Sequence, residues 1–183
     1  MTVADAIHLL ENRLGHQAIC IDDQTIESVT ENSYGISRPI IGAACPKDLS
    51  EVQFIVSTAN DHQIPLYPIS CGKNIGYGDK LPPADMQLIV DLHRMNKISG
   101  FDPELGTISL EPGVTQLQLY NFLISKQADF WMDATGAGLD SSYVGNALAG
   151  GFGHTPKGNR RHEISNLTVV CGNGTGPCGQ ILD

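Results

Sequence analysis

The stretch Pro68-Ile-Ser-Cys-Gly-Lys-Asn-Ile-Gly-Tyr-Gly78 begins inside a segment, residues 64–69, that reads as a short buried strand. Its small residues, serine at 70 and glycine at 72, 76 and 78, allow successive backbone N–H groups to point into one concavity. Such a nest binds phosphate or pyrophosphate oxygens without needing a cationic surface. The loop has neither the GxGxxG nor the GxxxxGK(S/T) spacing, and one glycine-rich loop is also typical of a plain surface turn. A second feature is needed to decide between these interpretations.

A second glycine-rich stretch, residues 135–154, supplies that feature. Glycines and hydroxyl residues lead into a short helix-like segment, which Ser141 or Ser142 is suited to cap. A helix N-terminus favours an anion, although a cap and a turn without a ligand explain this stretch equally well. Two glycine-rich loops, each between regular elements, together favour a phosphate-containing ligand.

Hydrophobic periodicity places these loops in a mixed fold. The pattern predicts helices over 3–13, from 46 to about 62 and over 115–125, and strands over 39–44, 64–69, 88–92, 97–101 and 106–111. The acidic segment 19–37 reads as a loop with short extended pieces. Strands bunch together instead of alternating strictly with helices, so we predict an α+β fold and not a doubly wound parallel sheet.

Composition excludes several classes of function. The 183 residues carry a formal net charge of -9, which is opposite to that of a typical nucleic-acid or anionic-membrane binder. No apolar run is long enough for a transmembrane helix, and the opening residues do not resemble a signal peptide. The five cysteines form no CxxC pair, and the histidines have no standard metal spacing. We therefore expect a reduced cytoplasmic protein without a metal site.

Three motifs in order along the chain, SCGKNIGYG, EPGVT and SSYVGNALAGGFGHTP, resemble segments of the vanillyl alcohol oxidase and p-cresol methylhydroxylase family of flavoproteins. The preceding CPKDLSEVQFIVSTANDHQIPLYPIS resembles the strand–helix–strand that leads into the family's pyrophosphate loop. The similarity runs from about residue 40 to residue 174. It implies an FAD-binding domain of two α+β subdomains with the dinucleotide between them.

The resemblance also implies a domain plan. Residues 1–38 would be an amino-terminal helix and lead-in, and residues 39–183 the FAD-binding domain, with subdomains over about 39–105 and 106–183. The domain would be incomplete, because the sequence stops where family members continue into the rest of the flavin domain and the substrate cap. A separate chain supplying that cap is a possible partner.

Carried over residue by residue, the resemblance implies a set of cofactor-binding positions. The pyrophosphate loop would comprise Ser70, Cys71, Gly72, Lys73, Asn74, Ile75, Gly76 and Tyr77. The turn beside the cofactor would comprise Pro112, Gly113 and Val114. The second cofactor loop and the flavin and adenine contacts would comprise Ser141, Ser142, Val144, Gly145, Asn146, Gly153, His154 and Val169. The catalytic candidates are Tyr77 and His154, which align with the family's two phenolate-binding tyrosines.

Departures from the family pattern affect the expected chemistry. Asn74 or its neighbours stand where related oxidases carry a flavin-attaching histidine, so the resemblance implies non-covalent FAD. The family's catalytic aspartate aligns with Ala137, although Asp140 is near. The expected function is the cofactor module of a flavin-dependent oxidase or dehydrogenase acting on an alcohol or alkylphenol carbon. The alternative is a catalytically silent flavin-binding or partner-binding protein.

Overall fold

A four-stranded mixed sheet forms the centre of the fold in the computed structural model, which describes residues 2–73, 79–133 and 135–176. The strand order is β1-β2-β4-β3, with β1 at Ile19–Cys20, β2 at Gly42–Ala44, β3 at Leu66–Ile69 and β4 at Leu88–Asp91. The strands β2, β4 and β3 run parallel, and β1 pairs antiparallel with β2. Because β2, β4 and β3 are parallel, their carboxyl ends lie at the same edge of the sheet.

Two helices cover one face of this sheet. Helix α1 is Val3–Leu14 and helix α3 is Leu49–Asp61. Thr2 begins α1 with a capping box, and the Asp48 side chain begins α3 by accepting the Glu51 N–H at 2.9 Å. The apolar side chains of both helices and the sheet form a buried cluster of Ala6, Ile7, Leu10, Ile19, Ala44, Ile55, Ala59, Ile64, Leu88 and Val90.

A third helix, α2 at Asp23–Thr30, lies on the opposite face, where the sequence had predicted a loop with short extended pieces. That prediction was wrong for this segment. The Asp22 side chain caps α2 by accepting the Thr25 N–H at 2.9 Å, and Ile26 and Val29 pack on the sheet. Only these two apolar residues face the core, so the surrounding polar sequence gives a weak helical signal.

The rest of the described chain builds the loops of the site. A hairpin of β5, Ile98–Asp102, and β6, Thr107–Leu110, leads into helix α4, Gln116–Ser125, and later into a short helix α5, Tyr143–Leu148. The family resemblance also implies a strand over residues 169–172, but residues 164–171 have no regular secondary structure.

Several apolar side chains of this half are exposed. On α4 the buried positions are Gln116 and Leu119, while Leu117, Tyr120 and Ile124 face outward. Trp131 is 70% exposed, and the neighbouring Phe130 is 43% exposed. The longest described helix, α3, has 13 residues, and none of the helices in the described ranges has the length and apolar character needed to cross a bilayer.

Candidate functional site

The carboxyl end of β3 carries the first glycine-rich loop. Ligand sites in sheets with parallel strands commonly lie at this edge. Ser70, Cys71, Gly72 and Lys73 follow β3 directly, and Gly72 has a φ of +59°, a backbone conformation that glycine adopts without strain. The predicted binding residues Asn74, Ile75, Gly76 and Tyr77 lie outside the described residues.

The turn at Pro112–Val114 lies against this first loop. The Cys71 thiol donates a hydrogen bond to the Gly113 carbonyl at 3.6 Å, and the Gly113 N–H donates to the Met95 carbonyl at 2.7 Å. A Cβ atom at Gly113 would lie 2.5 Å from the His93 carbonyl oxygen and 2.6 Å from that of Leu92. Because backbone atoms surround this position, only glycine fits there.

The loop that leads into α5 is held to the same turn. The Ser142 hydroxyl donates to the Pro112 carbonyl at 2.5 Å and accepts the Gly145 N–H at 2.8 Å, so it both caps α5 and joins the two loops. The Tyr143 N–H donates to the Val114 carbonyl at 2.9 Å. Ser141, which is buried, accepts a hydrogen bond from the Gln116 side chain at 2.9 Å.

The first and third loops also meet directly. A Cβ atom at Gly145 would lie 2.6 Å from the Ser70 hydroxyl oxygen. At the surface, Lys73 Nζ lies 3.2 Å from the Asp140 carboxylate, and the two side chains are 49% and 65% exposed. An exposed ion pair of this kind is worth less than about 1 kcal/mol, so Lys73 is free to turn toward a bound phosphate.

Cys71 is held as a neutral packing residue in this arrangement. Burial raises the pKa of its thiol to about 11, and the nearby Asp91 and Asp140 carboxylates add to the rise. A thiol with such a pKa is almost fully protonated at neutral pH and is a poor nucleophile. The geometry thus favours the interpretation of Cys71 as a small residue that joins two loops over that of a reactive thiol.

Arg160 is a structural residue that the sequence did not identify. The sequence groups it with Lys157 and Arg161 as a basic cluster that is either solvated or near a phosphate, but its side chain is fully buried. Its guanidinium donates to Asn146 Oδ1 at 3.0 Å and to Gln116 Oε1 at 2.8 Å, and it also donates to the Asp133 carbonyl. Arg160 therefore joins α4, α5 and Asp133 inside the protein and is not a phosphate ligand.

The remaining predicted residues lie on the periphery of the three loops. Gly153 is buried against the Asp133 carboxylate, whose two oxygens have no hydrogen-bond partner within the described ranges. His154 follows it and is exposed. Val144 is half-buried on α5, and Val169 is 40% exposed on the irregular segment after the last 3-10 turn, Arg160–Glu163.

Three small-residue loops thus meet within hydrogen-bonding distance at one edge of the sheet. Gly72, Gly113, Ser141 and Ser142 are buried where the loops meet, and the half-exposed Lys73 provides a cation beside them. The backbone N–H groups that suit a diphosphate are those of the first loop, Ser70–Lys73, since the N–H groups of Gly113, Tyr143 and Gly145 are bonded within the protein. The structure brings Ser70–Lys73, Pro112–Val114 and Ser141–Asn146 together, and we call these three loops the cradle.

The comparisons with known proteins agree with this geometry. A family model described as an FAD binding domain matches residues 40–176. The chain belongs to the FAD binding domain family. FAD is accordingly its cofactor, and the expected likeness to the vanillyl alcohol oxidase and p-cresol methylhydroxylase group is confirmed by the relatives.

Two curated relatives and one solved structure define that likeness. The chain is 35% identical over 161 residues to 1'-carboxy-chondrochloren decarboxylase of Chondromyces crocatus, covering 88% of this chain and 30% of the relative. It is 36% identical over 126 residues to the 4-cresol dehydrogenase (hydroxylating) flavoprotein subunit of Pseudomonas putida, covering 69% of this chain and 24% of the relative. A crystal structure of p-cresol methylhydroxylase with substrate bound superposes with a TM-score of 0.90 at 28% identity, covering 94% of this chain and 34% of that chain. The fold is therefore that of the amino-terminal FAD-binding part of p-cresol methylhydroxylase, as predicted, and the chain spans between about a quarter and about a third of the length of these relatives.

Proposed function

We propose that this FAD-binding domain belongs to an oxidoreductase that removes hydride from an alcohol or alkylphenol carbon, and that it holds FAD without a covalent bond. The observation that carries the proposal is the meeting of the three small-residue loops in a chain 36% identical to a 4-cresol dehydrogenase subunit. In this proposal the bound flavin supplies the hydride acceptor. The residues of the chain supply binding, orientation and hydrogen bonds.

Each loop has a defined part in holding the cofactor. Backbone N–H groups of Ser70–Lys73 face the pyrophosphate, together with the predicted residues Asn74–Tyr77. Ser142 fixes the relative position of the Pro112 turn and α5 through its two hydrogen bonds. Lys73 exchanges its exposed pairing with Asp140 for a phosphate oxygen. The net charge of -9 makes backbone donors the principal means of holding a dianion.

The substrate side of the proposal rests on Tyr77 and His154. A tyrosine hydroxyl and an imidazole N–H each donate a hydrogen bond to a phenolic oxygen, which favours the phenolate form. The exposure of His154, on a turn whose backbone is held by the bond from the Gly153 N–H to the Gly158 carbonyl at 2.7 Å, supports this role.

The cofactor part is tested by FAD titration of the full chain, followed by flavin fluorescence. We compare Gly145→Ala with Gly136→Ala, because an added Cβ at 145 meets Ser70 whereas one at 136 meets nothing within 4 Å. Alanine stabilises a helix by about 1 kcal/mol relative to glycine, so a loss of FAD affinity in Gly145→Ala would come from the contact with Ser70 and not from a weaker helix. We expect binding to weaken at least tenfold for Gly145→Ala only. Equal affinity of the two variants, or FMN binding as tightly as FAD, would contradict the proposed cradle.

Covalent attachment and the substrate role are tested on the FAD-loaded chain. Acid precipitation should leave the flavin in the supernatant, and colour retained in the washed pellet would refute non-covalent binding. A 4-alkylphenol should perturb the flavin absorbance, and His154→Leu, which leaves no hydrogen-bond donor, should weaken that response by roughly tenfold, the value of one hydrogen bond to a charged oxygen. His162→Leu, a substitution of another exposed histidine, should leave the response unchanged. An unchanged response in His154→Leu would remove His154 from the substrate site.

A further inference from the structure

Three metal-ligating side chains come together behind the cofactor loops, although the sequence separates two of them by 46 positions. Cys45 follows β2, Asp91 ends β4, and His93 lies in the 3-10 turn Leu92–Arg94 that follows. Because Ala44 pairs with Val90 in the parallel register, the next residues, Cys45 and Asp91, become neighbours. The thiol sulfur, a carboxylate oxygen and an imidazole nitrogen lie within 4.8 Å of one another.

The contacts inside this Cys45–Asp91–His93 cluster orient it. Asp91 Oδ1 accepts the His93 backbone N–H at 3.0 Å and lies 2.9 Å from His93 Nδ1, so the ring is already turned toward the carboxylate. Cys45 is 6% exposed, and Cys20 lies on the neighbouring strand β1, opposite Ala43 of β2. A second sulfur therefore borders the cluster.

The charge of the cluster matches a dication. A Cys45 thiolate and the Asp91 carboxylate together carry two negative charges, which one divalent ion neutralises. The neighbouring Arg94 guanidinium donates to the Cys45 carbonyl at 2.9 Å and forms no ion pair with a carboxylate of the described residues. That bond also fixes the backbone of Cys45 relative to the turn that carries His93.

We propose that Cys45, Asp91 and His93 form a binding site for a divalent metal ion of the zinc class, with Cys20 as the adjacent sulfur available for a fourth position. Thiolate, imidazole and carboxylate are the ligands that zinc takes in tetrahedral sites, with bonds of about 2.0–2.3 Å. Such bonds place neighbouring ligand atoms about 3.3–3.8 Å apart, so the three atoms need to move by only about 1 Å. Binding releases the thiol proton of Cys45 to solvent.

The Cys45–Asp91–His93 cluster is next to the segment on which the Pro112–Val114 turn packs. The carbonyl oxygens of Leu92 and His93 are the atoms against which Gly113 packs, and Met95 accepts the Gly113 N–H. A metal ion held by His93 would stiffen the segment that supports this turn. Histidine spacing alone predicted no metal site, because the ligands are assembled by strand register.

Cobalt binding to the full chain tests the site without FAD, so its outcome is independent of the proposed oxidoreductase function. The protein is reduced, stripped with a chelator, dialysed and titrated with Co²⁺. We expect a near-ultraviolet thiolate-to-cobalt absorption band that saturates at one ion per chain and disappears when Zn²⁺ is added, since zinc displaces cobalt from such ligands.

Three variants locate the ion. Cys45→Ser should abolish the thiolate band, and His93→Gln, at an exposed position that does not threaten folding, should weaken Co²⁺ binding at least tenfold. Cys171→Ser is the matched cysteine control and should bind as the unmodified chain does. Absence of the band in the reduced protein, or equal binding by His93→Gln and the unmodified chain, would overturn the proposal.

Discussion

Arg160→Met tests the role of the buried guanidinium that joins α5 to the start of α4 and to Asp133. In the structure this group donates to Asn146, Gln116 and the Asp133 carbonyl, and its central carbon lies 4.3 Å from the centroid of the Tyr143 ring. Methionine preserves much of the length of the side chain but donates no hydrogen bond. The substitution therefore removes the donors while limiting the cavity.

The expected loss follows from these contacts. Each buried acceptor left without a donor costs about 1–3 kcal/mol, and the ring contact is worth about 0.5–2 kcal/mol. Acting against this, burial of the guanidinium has its own desolvation cost, which lowers the pKa of Arg160 from its ordinary value. We expect a net fall of about 3 kcal/mol in the free energy of unfolding, because the acceptors relax only partially.

Urea unfolding of the full chain, followed by circular dichroism, measures this difference. With a slope of about 2 kcal/mol per molar urea, the midpoint should fall by about 1.5 M. Arg161→Met is the matched control, because the Arg161 side chain is exposed and its hydrogen bond within the described residues is a long one, 3.4 Å to the Leu148 carbonyl. It should change stability by less than about 0.5 kcal/mol. If the two variants unfold at the same urea concentration, the buried network does not hold the loops as argued.

Three further predictions concern other parts of the cradle and its support. Gly113→Ala should lower both stability and FAD affinity, because the new methyl group meets backbone carbonyls, whereas Gly136→Ala should change neither; thermal unfolding and FAD titration compare them. Cys71 should react with iodoacetamide at pH 8 about 100-fold more slowly than a thiol of ordinary pKa 9.0, and its rate should rise about tenfold per pH unit toward pH 11. Peptide mass mapping measures the labelling, and labelling of Cys71 at the ordinary rate would contradict its burial. Asp48→Ala should cost about 1 kcal/mol at pH 7. The hydrogen bonds from Ser50 and Glu51 lower the pKa of Asp48 below 3.8 in the folded protein. The stabilisation is therefore present above pH 3.8 and is lost as the pH falls through the pKa of Asp48 in the folded protein. The urea midpoints of the unmodified chain and of Asp48→Ala should accordingly converge in acid.

Local sequence signals predicted most of the regular elements. Helix α3 has a proline before it, an acidic cap and an apolar face, and it was predicted to within three residues at either end. The helix α2 was missed, because only tertiary packing of Ile26 and Val29 on the sheet distinguishes it from a polar loop. The face of α4 that carries Leu117, Tyr120 and Ile124 has helical spacing but is exposed, since periodicity does not say which surface an apolar face meets.

Part of the candidate site could also be predicted from local sequence, and part of it could not. The loops at 70, 112 and 141 are recognisable as short motifs, and the structure brings their described residues together. The buried position of Arg160 is not recognisable, because three polar residues next to one another in sequence, Asn159 to Arg161, read as a solvated turn. Its partners Gln116 and Asn146 lie 44 and 14 positions away. Nothing local in the sequence indicates those distant acceptors.

The glycines of the cradle have a second role that the motif interpretation did not include. Glycine in such loops was interpreted as allowing backbone to approach a phosphate, yet Gly113 packs on the carbonyls of Leu92 and His93, and Gly145 packs on Ser70. These contacts lie within the chain and do not require a ligand. The three loops are thus held in place by the protein itself, which reduces the ordering entropy that FAD binding must overcome. Amide exchange at Gly113, Tyr143 and Gly145, whose N–H groups are all bonded within the cradle, should therefore be slow before FAD is added, and fast exchange there in the free protein would show that the cofactor is needed to order the loops.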